Sequence, residues 1–138
     1  MPNISVRYIV DDVAASVQFY SQLLGFAVAL GPTPGFAILI KDGFRLLITG
    51  VAGPGGAAQI MPDGRKPLPG GWNRIHIEVS DLDGEVAALR KAGARFRNEI
   101  LQGMGGRQVL LEDPSGNPFE LFEPKPSEAG STVRTSTR

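Results

Sequence analysis

The chain repeats a pattern of residues at an interval of 69 positions, and this repeat restricts its fold more than any other feature. Residues 6–26 (VRYIVDDVAASVQFYSQLLGF) and residues 75–96 (IHIEVSDLDGEVAALRKAGARF) share one skeleton. The interval places Val10 on Val79, Asp12 on Asp81, Val13 on Leu82, Val17 on Val86 and Tyr20 on Leu89. Five matches in register indicate an internal duplication.

Each copy reads as a short strand that leads into a helix. Asp12 and Asp81 are suited to N-capping, because a carboxylate accepts hydrogen bonds from the free N–H groups of the first turn. The apolar residues that follow recur at i, i+4 and i+7, which is the buried stripe of an amphipathic helix. Gly25 and Gly93 are suited to left-handed C-terminal caps, so each helix is expected to end at its glycine.

Three strands are predicted after each helix, so each half is a βαβββ module. Glycine-containing turns, KDG and DPSGN, close the last hairpin of each half, and aligning the final strands pairs Leu47 with Glu120. The predicted strands are 26–30, 36–41 and 44–49 in the first half, and 95–100, 107–112 and 118–123 in the second. We therefore expect one α+β domain over residues 1–125, with modules at about 3–49 and 72–124, a Gly/Pro-rich connecting loop at 50–71 and a fraying tail at 126–138.

Composition restricts the partners. The 138 residues contain 14 Lys+Arg, 14 Asp+Glu and no cysteine. The balanced charge favours neither nucleic acid nor an anionic membrane, and the lack of cysteine removes disulfides and thiolate metal sites. No apolar run reaches the roughly 18 residues of a membrane helix, so a cytoplasmic domain is expected.

Strand alternation collects polar side chains on one face of each predicted sheet. The faces opposite the helices carry Ser5, Arg7, Arg45, Leu47, Thr49, Arg74, His76, Glu78 and Glu120. A one-sided antiparallel sheet with a solvated polar face explains such a pattern. The alternative is a curved sheet whose concave polar face lines a ligand pocket.

Three segments resemble the vicinal oxygen chelate superfamily, which includes glyoxalase I, extradiol dioxygenases, and fosfomycin- and bleomycin-resistance proteins. These segments are YIVDDVAASVQFYSQLLGF, VSDLDGEVAALRKAGARF and GGRQVLLEDPSGNPFELFEP. The resemblance covers about residues 3 to 124. It implies two tandem βαβββ modules that form a cupped mixed sheet, commonly completed by a homodimer.

The resemblance also implies where a metal would bind. In the metal-dependent members four ligands, mostly His and Glu, occupy equivalent strand positions, which correspond here to Ser5, Leu47, Arg74 and Glu120. Leucine has no donor atom and arginine is a permanent cation, so only Glu120 suits a metal. We therefore expect no metal cofactor. The alternative is a divalent metal at a displaced site that uses Glu120 and His76, the only histidine.

Arg74 and Glu120 occupy neighbouring ligand positions of one module, so a charge-assisted pair is predicted where a metal would lie. An ordinary structural ion pair is the alternative explanation. If the protein catalyses a reaction, His76 is the best acid–base candidate, with Glu120, because a histidine side chain changes charge near neutral pH. A hydrogen-bonding residue in the pocket wall is the alternative role for His76.

The remaining site candidates would bind the ligand directly. The arginines make the pocket neutral to slightly positive, which suits a small molecule with a carboxylate or another acceptor-rich group. Trp72 and Phe36 either stack on a planar ligand or pack in the core. Arg107 follows a Gly-Gly turn that is predicted to form a mobile lip. The predicted ligand-binding residues are Arg7, Arg45, Arg74, Glu78, Trp72, Phe36 and Arg107.

These observations favour a protein that binds or sequesters a small organic molecule without a metal. A lyase, isomerase or dioxygenase with a non-standard site around His76 and Glu120 is the alternative. A degenerate member that serves only as a structural partner is a third possibility.

Overall fold

A computed structural model describes residues 3–51 and 56–126. The described residues combine two α-helices with short and long strands, so the predicted α+β class is confirmed. The elements are β1 (Ser5–Val10), α1 (Val13–Leu24), β2 (Ala27–Thr33), β3 (Phe36–Lys41), β4 (Phe44–Gly50), a 3₁₀ helix (Gly56–Ala58), β5 (Ile75–Glu78), α2 (Leu82–Lys91), β6 (Arg95–Phe96), β7 (Leu101–Gln102), β8 (Gly106–Glu112) and β9 (Pro118–Pro124).

The chain divides into two compact units, each with one sheet. The first unit is Met1–Gly71 with Asp113–Asn117, and the second is Trp72–Glu112 with Pro118–Arg138. The first sheet has the order β1-β4-β3-β2, and the second has the order β5-β9-β8-β6 with β7 also paired to β8. In each sheet the first strand runs parallel to its neighbour, and the other pairs are antiparallel.

Strand register supports the duplication. Arg7 lies opposite Leu47 in the first sheet, and His76 lies opposite Glu120 in the second. His76 follows Arg7 at the repeat interval of 69 residues, so Leu47 and Glu120 occupy equivalent positions, as the sequence alignment predicted.

Both helices begin at the predicted aspartates. The Asp12 carboxylate accepts a hydrogen bond from the Ala15 backbone N–H at 3.0 Å, and the Asp81 carboxylate accepts one from Gly84 at 3.0 Å. Gly25 ends α1 in the left-handed conformation, with a φ of 78°. The prediction for α2 needs a correction, because Ala92 caps that helix and Gly93 follows as the left-handed residue, with a φ of 85°.

Each unit has its own apolar core on the predicted strand faces. In the first unit the fully buried Tyr20 contacts the rings of Tyr8, Phe19 and Phe26 edge to face. In the second unit α2 and the strands contribute a list of buried residues: Leu82, Val86, Leu89, Val109, Leu111, Phe119 and Leu121. Burial of these side chains leaves the other face of each sheet to the polar residues.

The strand predicted at 95–100 forms only at its start, as β6, and β7 begins just past its predicted end, so that prediction was wrong in extent. The side chain of Asn98 explains the break. Its carbonyl oxygen accepts a hydrogen bond from the Leu110 backbone N–H at 2.9 Å, a donor that a continuous ladder would give to a backbone carbonyl. Asparagine competes with sheet ladders in this way.

The turn between β8 and β9 belongs to the first unit, which the sequence did not predict. Buried Asp113 accepts the Tyr20 hydroxyl at 2.8 Å and the backbone N–H groups of Ser115 and Asn117, both at 2.9 Å. The Asn117 amide donates to the Ile9 carbonyl at 2.7 Å and accepts from the Gly70 N–H at 2.8 Å. Burial, together with the nearby Asp113 carboxylate, raises the pKa of Tyr20 well above its ordinary value.

Part of the connecting loop also has defined structure. Met61 and Arg65 close a tight turn through a hydrogen bond of 2.8 Å between the Met61 N–H and the Arg65 carbonyl. Residues 52–55 of the loop and 127–138 of the predicted tail lie outside the described residues. None of the helices in the described parts of the chain has both the length and the apolar character that a membrane crossing requires.

Candidate ligand-binding site

One face of the second sheet carries the predicted residues His76, Glu78 and Glu120. Residues that pair directly across strands share a face, and register therefore defines this surface. We call it the second polar face; it consists of His76 and Glu78 on β5, Glu120 and Phe122 on β9, Gln108, Leu110 and Glu112 on β8, and Arg95 on β6. Trp72 and Arg74 precede β5 at one end of this face.

Arg74 and Glu120 form the predicted pair. The Arg74 Nε and Nη2 atoms each lie 3.0 Å from Glu120 Oε1. The Glu120 side chain is only 11% exposed and that of Arg74 is 29% exposed. Water therefore weakens the attraction between these charges less than it weakens a surface ion pair. Arg74 Nη1 also donates to the Trp72 carbonyl oxygen at 3.2 Å, which ties the residue before the strand to the pair.

His76 lies on the other side of the Glu120 carboxylate. Its Nε2 is 3.7 Å from Glu120 Oε2, which is beyond ordinary hydrogen-bond distance. The ring packs against Phe122 with centroids 5.0 Å apart, and half of the side chain is exposed. His76 therefore borders the Glu120 carboxylate while half of its side chain stays accessible to solvent or to a ligand.

A second group of charges, absent from the sequence predictions, lies at the Trp72 end of the same unit. The Arg97 guanidinium covers the Trp72 ring at 4.7 Å from its centroid, and Arg97 Nε donates to Glu112 Oε2 at 2.8 Å. Arg95 Nε lies 3.7 Å from the other Glu112 oxygen. The hairpin pairing of Arg95 with Glu112 was the sequence signal that could have identified this group, but it required the correct register.

Three other predicted residues lie together in the first unit. Register places Arg7, Arg45 and Phe36 on one face of the first sheet. Arg7 Nη1 donates to the Thr49 hydroxyl at 2.8 Å, so this arginine is held by its own sheet. These contacts fix the position of Arg7 and leave the role of all three residues in ligand binding as a prediction.

Arg107 is not on the second polar face. It pairs with Glu123 in register and therefore lies on the side of the sheet that faces α2. Its Nη2 donates to Glu123 at 2.7 Å and to Asp83 at 2.9 Å. These hydrogen bonds from Arg107 lower the pKa values of Asp83 and Glu123. The geometry does not support the predicted place of Arg107 beside the ligand, because its guanidinium bonds to carboxylates on the other side of the sheet.

The residues present do not fit the metal site that the fold family implies. In the second unit one oxygen of Glu120 accepts a hydrogen bond from Arg74 Nε and lies 3.0 Å from Arg74 Nη2, so a permanent cation already contacts this carboxylate. In the first unit the equivalent of Glu120 is Leu47, which has no donor atom. Across residues 3–51 and 56–126, no three His, Asp or Glu side chains are grouped in a way that would hold a metal ion.

The fold and this register define a paired-module protein of a known class. The chain belongs to the Glyoxalase/Bleomycin resistance protein/Dioxygenase superfamily, whose family model matches residues 4–121. This confirms the resemblance that the sequence motifs indicated.

Individual relatives are distant in sequence and close in fold. A virulence protein of Salmonella typhimurium is 23% identical over 121 residues, or 83% of this chain and 78% of the relative. Its crystal structure matches with a TM-score of 0.70 at 18% identity, covering 91% of this chain and 98% of that one.

Two further solved structures have resistance-related names. An antibiotic-binding protein of a Streptomyces species matches with a TM-score of 0.66 at 21% identity, covering 91% of this chain and 98% of that chain. A fosfomycin resistance protein of Listeria monocytogenes matches with a TM-score of 0.67 at 15% identity, covering 92% and 96%. At these identities the likeness establishes the fold alone.

Proposed function

We propose that this chain binds a small organic molecule on the second polar face and does so without a metal ion. The observation that carries the proposal is the contact between Arg74 and Glu120, whose atoms lie 3.0 Å apart. The resemblance assigns both residues to metal-ligand positions. A guanidinium at one of them neutralises the carboxylate at the other, so the pair takes over the charge balance that a cation would provide.

The chemistry of the face supports a ligand with acceptor groups. Arg74 and His76 border a shielded carboxylate, and Trp72 offers an aromatic ring that is 69% exposed. Ligand sites typically combine such apolar surface with a few placed polar groups. The antibiotic-binding relative supports a binding role for the same fold.

Metal analysis combined with a thermal-shift screen tests the proposal. We expect purified protein to contain no stoichiometric metal, and its Tm to be unaffected by chelators. Some members of a library of small organic acids should raise the Tm, because a ligand that binds only the folded state stabilises it by about 2.7 kcal/mol at a hundred times its Kd. Those shifts should shrink in Arg74→Gln, because this substitution removes a cation that attracts the acid. Stoichiometric Zn, Fe, Mn or Ni lost on replacing Glu120 would overturn the proposal.

A catalytic role is the second candidate, and the position of His76 favours it. The imidazole is half exposed and 3.7 Å from a shielded carboxylate, which is a suitable arrangement for acid–base catalysis in a lyase or isomerase. His76→Ala should then abolish turnover and leave the Tm nearly unchanged, because the side chain contributes little buried surface. Turnover that survives this substitution would exclude His76 as the acid–base group.

We further propose that one domain over residues 1–125 works as a homodimer, as the resemblance implies, and that it is cytoplasmic, as the composition favours. Equilibrium sedimentation tests the assembly. A mass of twice one chain at micromolar concentration is expected, and a single-chain mass would contradict it.

A further inference from the structure

Trp72 is the only tryptophan in the sequence, and it is exposed to solvent. Trp72 is 69% exposed, whereas the side chain of Arg97, which packs on its ring, is only 17% exposed. An exposed tryptophan without support is free to change rotamer, but here Arg97 packs on the ring and Arg74 bonds to the backbone of the same residue. Arg74 donates to its carbonyl at 3.2 Å, and Arg97 covers one face of its ring at 4.7 Å from the centroid.

Each of these two arginines is itself fixed by a carboxylate. Glu120 holds Arg74 at 3.0 Å, and Glu112 holds Arg97 at 2.8 Å. The ring is therefore positioned before any ligand arrives, and a preorganised contact loses less conformational entropy on binding. The indole face that Arg97 does not cover is a ready surface for a planar molecule.

The charges around the ring decide which planar molecule suits it. Arg95 and Arg97 both approach Glu112, at 3.7 Å and 2.8 Å, so this group of three side chains carries one net positive charge. If a cationic ligand stacked on the uncovered face, only the indole ring would separate its charge from the Arg97 guanidinium. The Coulomb repulsion at that separation opposes binding, whereas an anionic group is attracted.

We infer that Trp72, backed by Arg97, is the recognition element for a planar aromatic acid, and that it selects against planar cations. This inference rests on the proposed function and names its ligand class. The aromatic ring of the ligand stacks on Trp72, and its carboxylate lies towards Arg95 and Arg97. Neither the strand alternation nor the family resemblance assigns Arg95, Arg97 or Glu112 to a site.

Three probes separate the contributions of shape and charge: naphthoate (planar anion), naphthylmethylammonium (planar cation) and cyclohexanecarboxylate (saturated anion). Tryptophan-selective fluorescence reports on Trp72 alone, and calorimetry gives each Kd. We expect naphthoate to change the fluorescence and to bind at least about tenfold more tightly than the other two. Equal binding of the cation, or no response to naphthoate, would overturn the inference.

Variants assign the selectivity to the two residues. Trp72→Ala should weaken naphthoate about tenfold, and Trp72→Phe should weaken it less, because a ring remains. Arg97→Gln should narrow the preference for anion over cation by about threefold or more. Arg90→Gln is the matched control, since Arg90 covers the Phe96 ring at 4.2 Å, a ring on the opposite face of the sheet, and it should change neither value.

The outcome also distinguishes this inference from the proposed function. A library ligand whose binding requires Arg74 but is unchanged in Trp72→Ala would sustain the proposed function and overturn this inference. Unchanged naphthoate binding in both Trp72→Ala and Arg97→Gln would overturn it as well. Absence of any ligand for the wild-type protein would overturn both.

Discussion

The carboxylate of Glu120 is contacted by Arg74 through one oxygen and approached by His76 through the other. Strand alternation placed Arg74 and His76 on one face. Glu120 was assigned to the same face because its neighbours Phe119 and Leu121 were expected to pack in the core. Sequence reasoning missed the contact between Arg97 and Trp72, because finding it required the register between β6 and β8. The chain leaves the ladder directly after Arg97, where the Asn98 side chain accepts the Leu110 N–H, a local choice of hydrogen bond that composition does not reveal.

The Arg74–Glu120 pair should contribute measurably to the free energy of unfolding. Glu120→Gln removes the charge but keeps the shape, and it should lower the free energy of unfolding by about 1–3 kcal/mol, since it leaves a shielded guanidinium without its charged partner. A double-mutant cycle with Arg74→Met, followed by urea denaturation, measures the coupling. We expect a coupling energy of about 1 kcal/mol or more.

The exposed pair Asp63–Arg65 provides the control for that cycle. Its atoms lie 2.8 Å apart, but the side chains are 55% and 83% exposed. The same cycle at these positions should give less than about 0.5 kcal/mol, because water screens the charges. Equal coupling at the two pairs would refute the claim that Arg74 and Glu120 are shielded.

Among the elements, the helices and the hairpins followed their sequence signals most closely. Capping residues and Gly-containing turns act locally, so the residues that specify them are adjacent in the sequence. β6 and β7 did not follow the prediction, because their boundary depends on a side chain that bonds to a residue 12 positions away. Arg107 shows the same limit, since the partner that fixes it lies on α2.

Arg107 connects α2 to the second sheet, and its contribution to the stability of the fold should depend on pH. It lowers the pKa values of Asp83 and Glu123 in the folded protein, chiefly through its hydrogen bonds. Stabilisation from a depressed carboxyl pKa is complete above the ordinary value of about 4 and is lost as pH falls through the depressed value. Arg107→Met should therefore lower the Tm at pH 7, and the difference from wild type should shrink in acid.

Thermal unfolding measured at intervals between neutral pH and about pH 2 tests this element-scale prediction. Arg65→Met serves as the control, because its partner Asp63 belongs to an exposed turn. A Tm difference for Arg107→Met that stays constant through the acid range would contradict the linkage.

Across the molecule, the hydrogen bond from Tyr20 to Asp113 joins two buried side chains that lie 93 positions apart in the sequence. Tyr20 aligned with Leu89 in the repeat, and the sequence predicted only that both were core residues. The hydroxyl had no predicted partner, because no local pattern relates a residue of α1 to a turn in the other copy.

Tyr20→Phe should reduce the free energy of unfolding at pH 7 by about 1–3 kcal/mol, because the buried Asp113 carboxylate loses a donor. The folded-state pKa of Tyr20 is raised, so this stabilisation is present below the ordinary tyrosine value of about 10 and is lost as pH rises towards the folded value. The difference between wild type and Tyr20→Phe should therefore narrow in alkali. Denaturation curves at neutral and alkaline pH measure it, and a difference that widens would contradict the assignment.

The membership of Asp113–Asn117 in the first unit also has a genetic consequence. A gene cut between the copies, after Gly71, would encode α1 and its sheet without the carboxylate that receives the Tyr20 hydroxyl and without the amide that holds the Ile9 carbonyl. Recombination in the loop between the halves would therefore separate the first module from a turn that belongs to it. The two copies would have to be inherited together for the first module to stay intact.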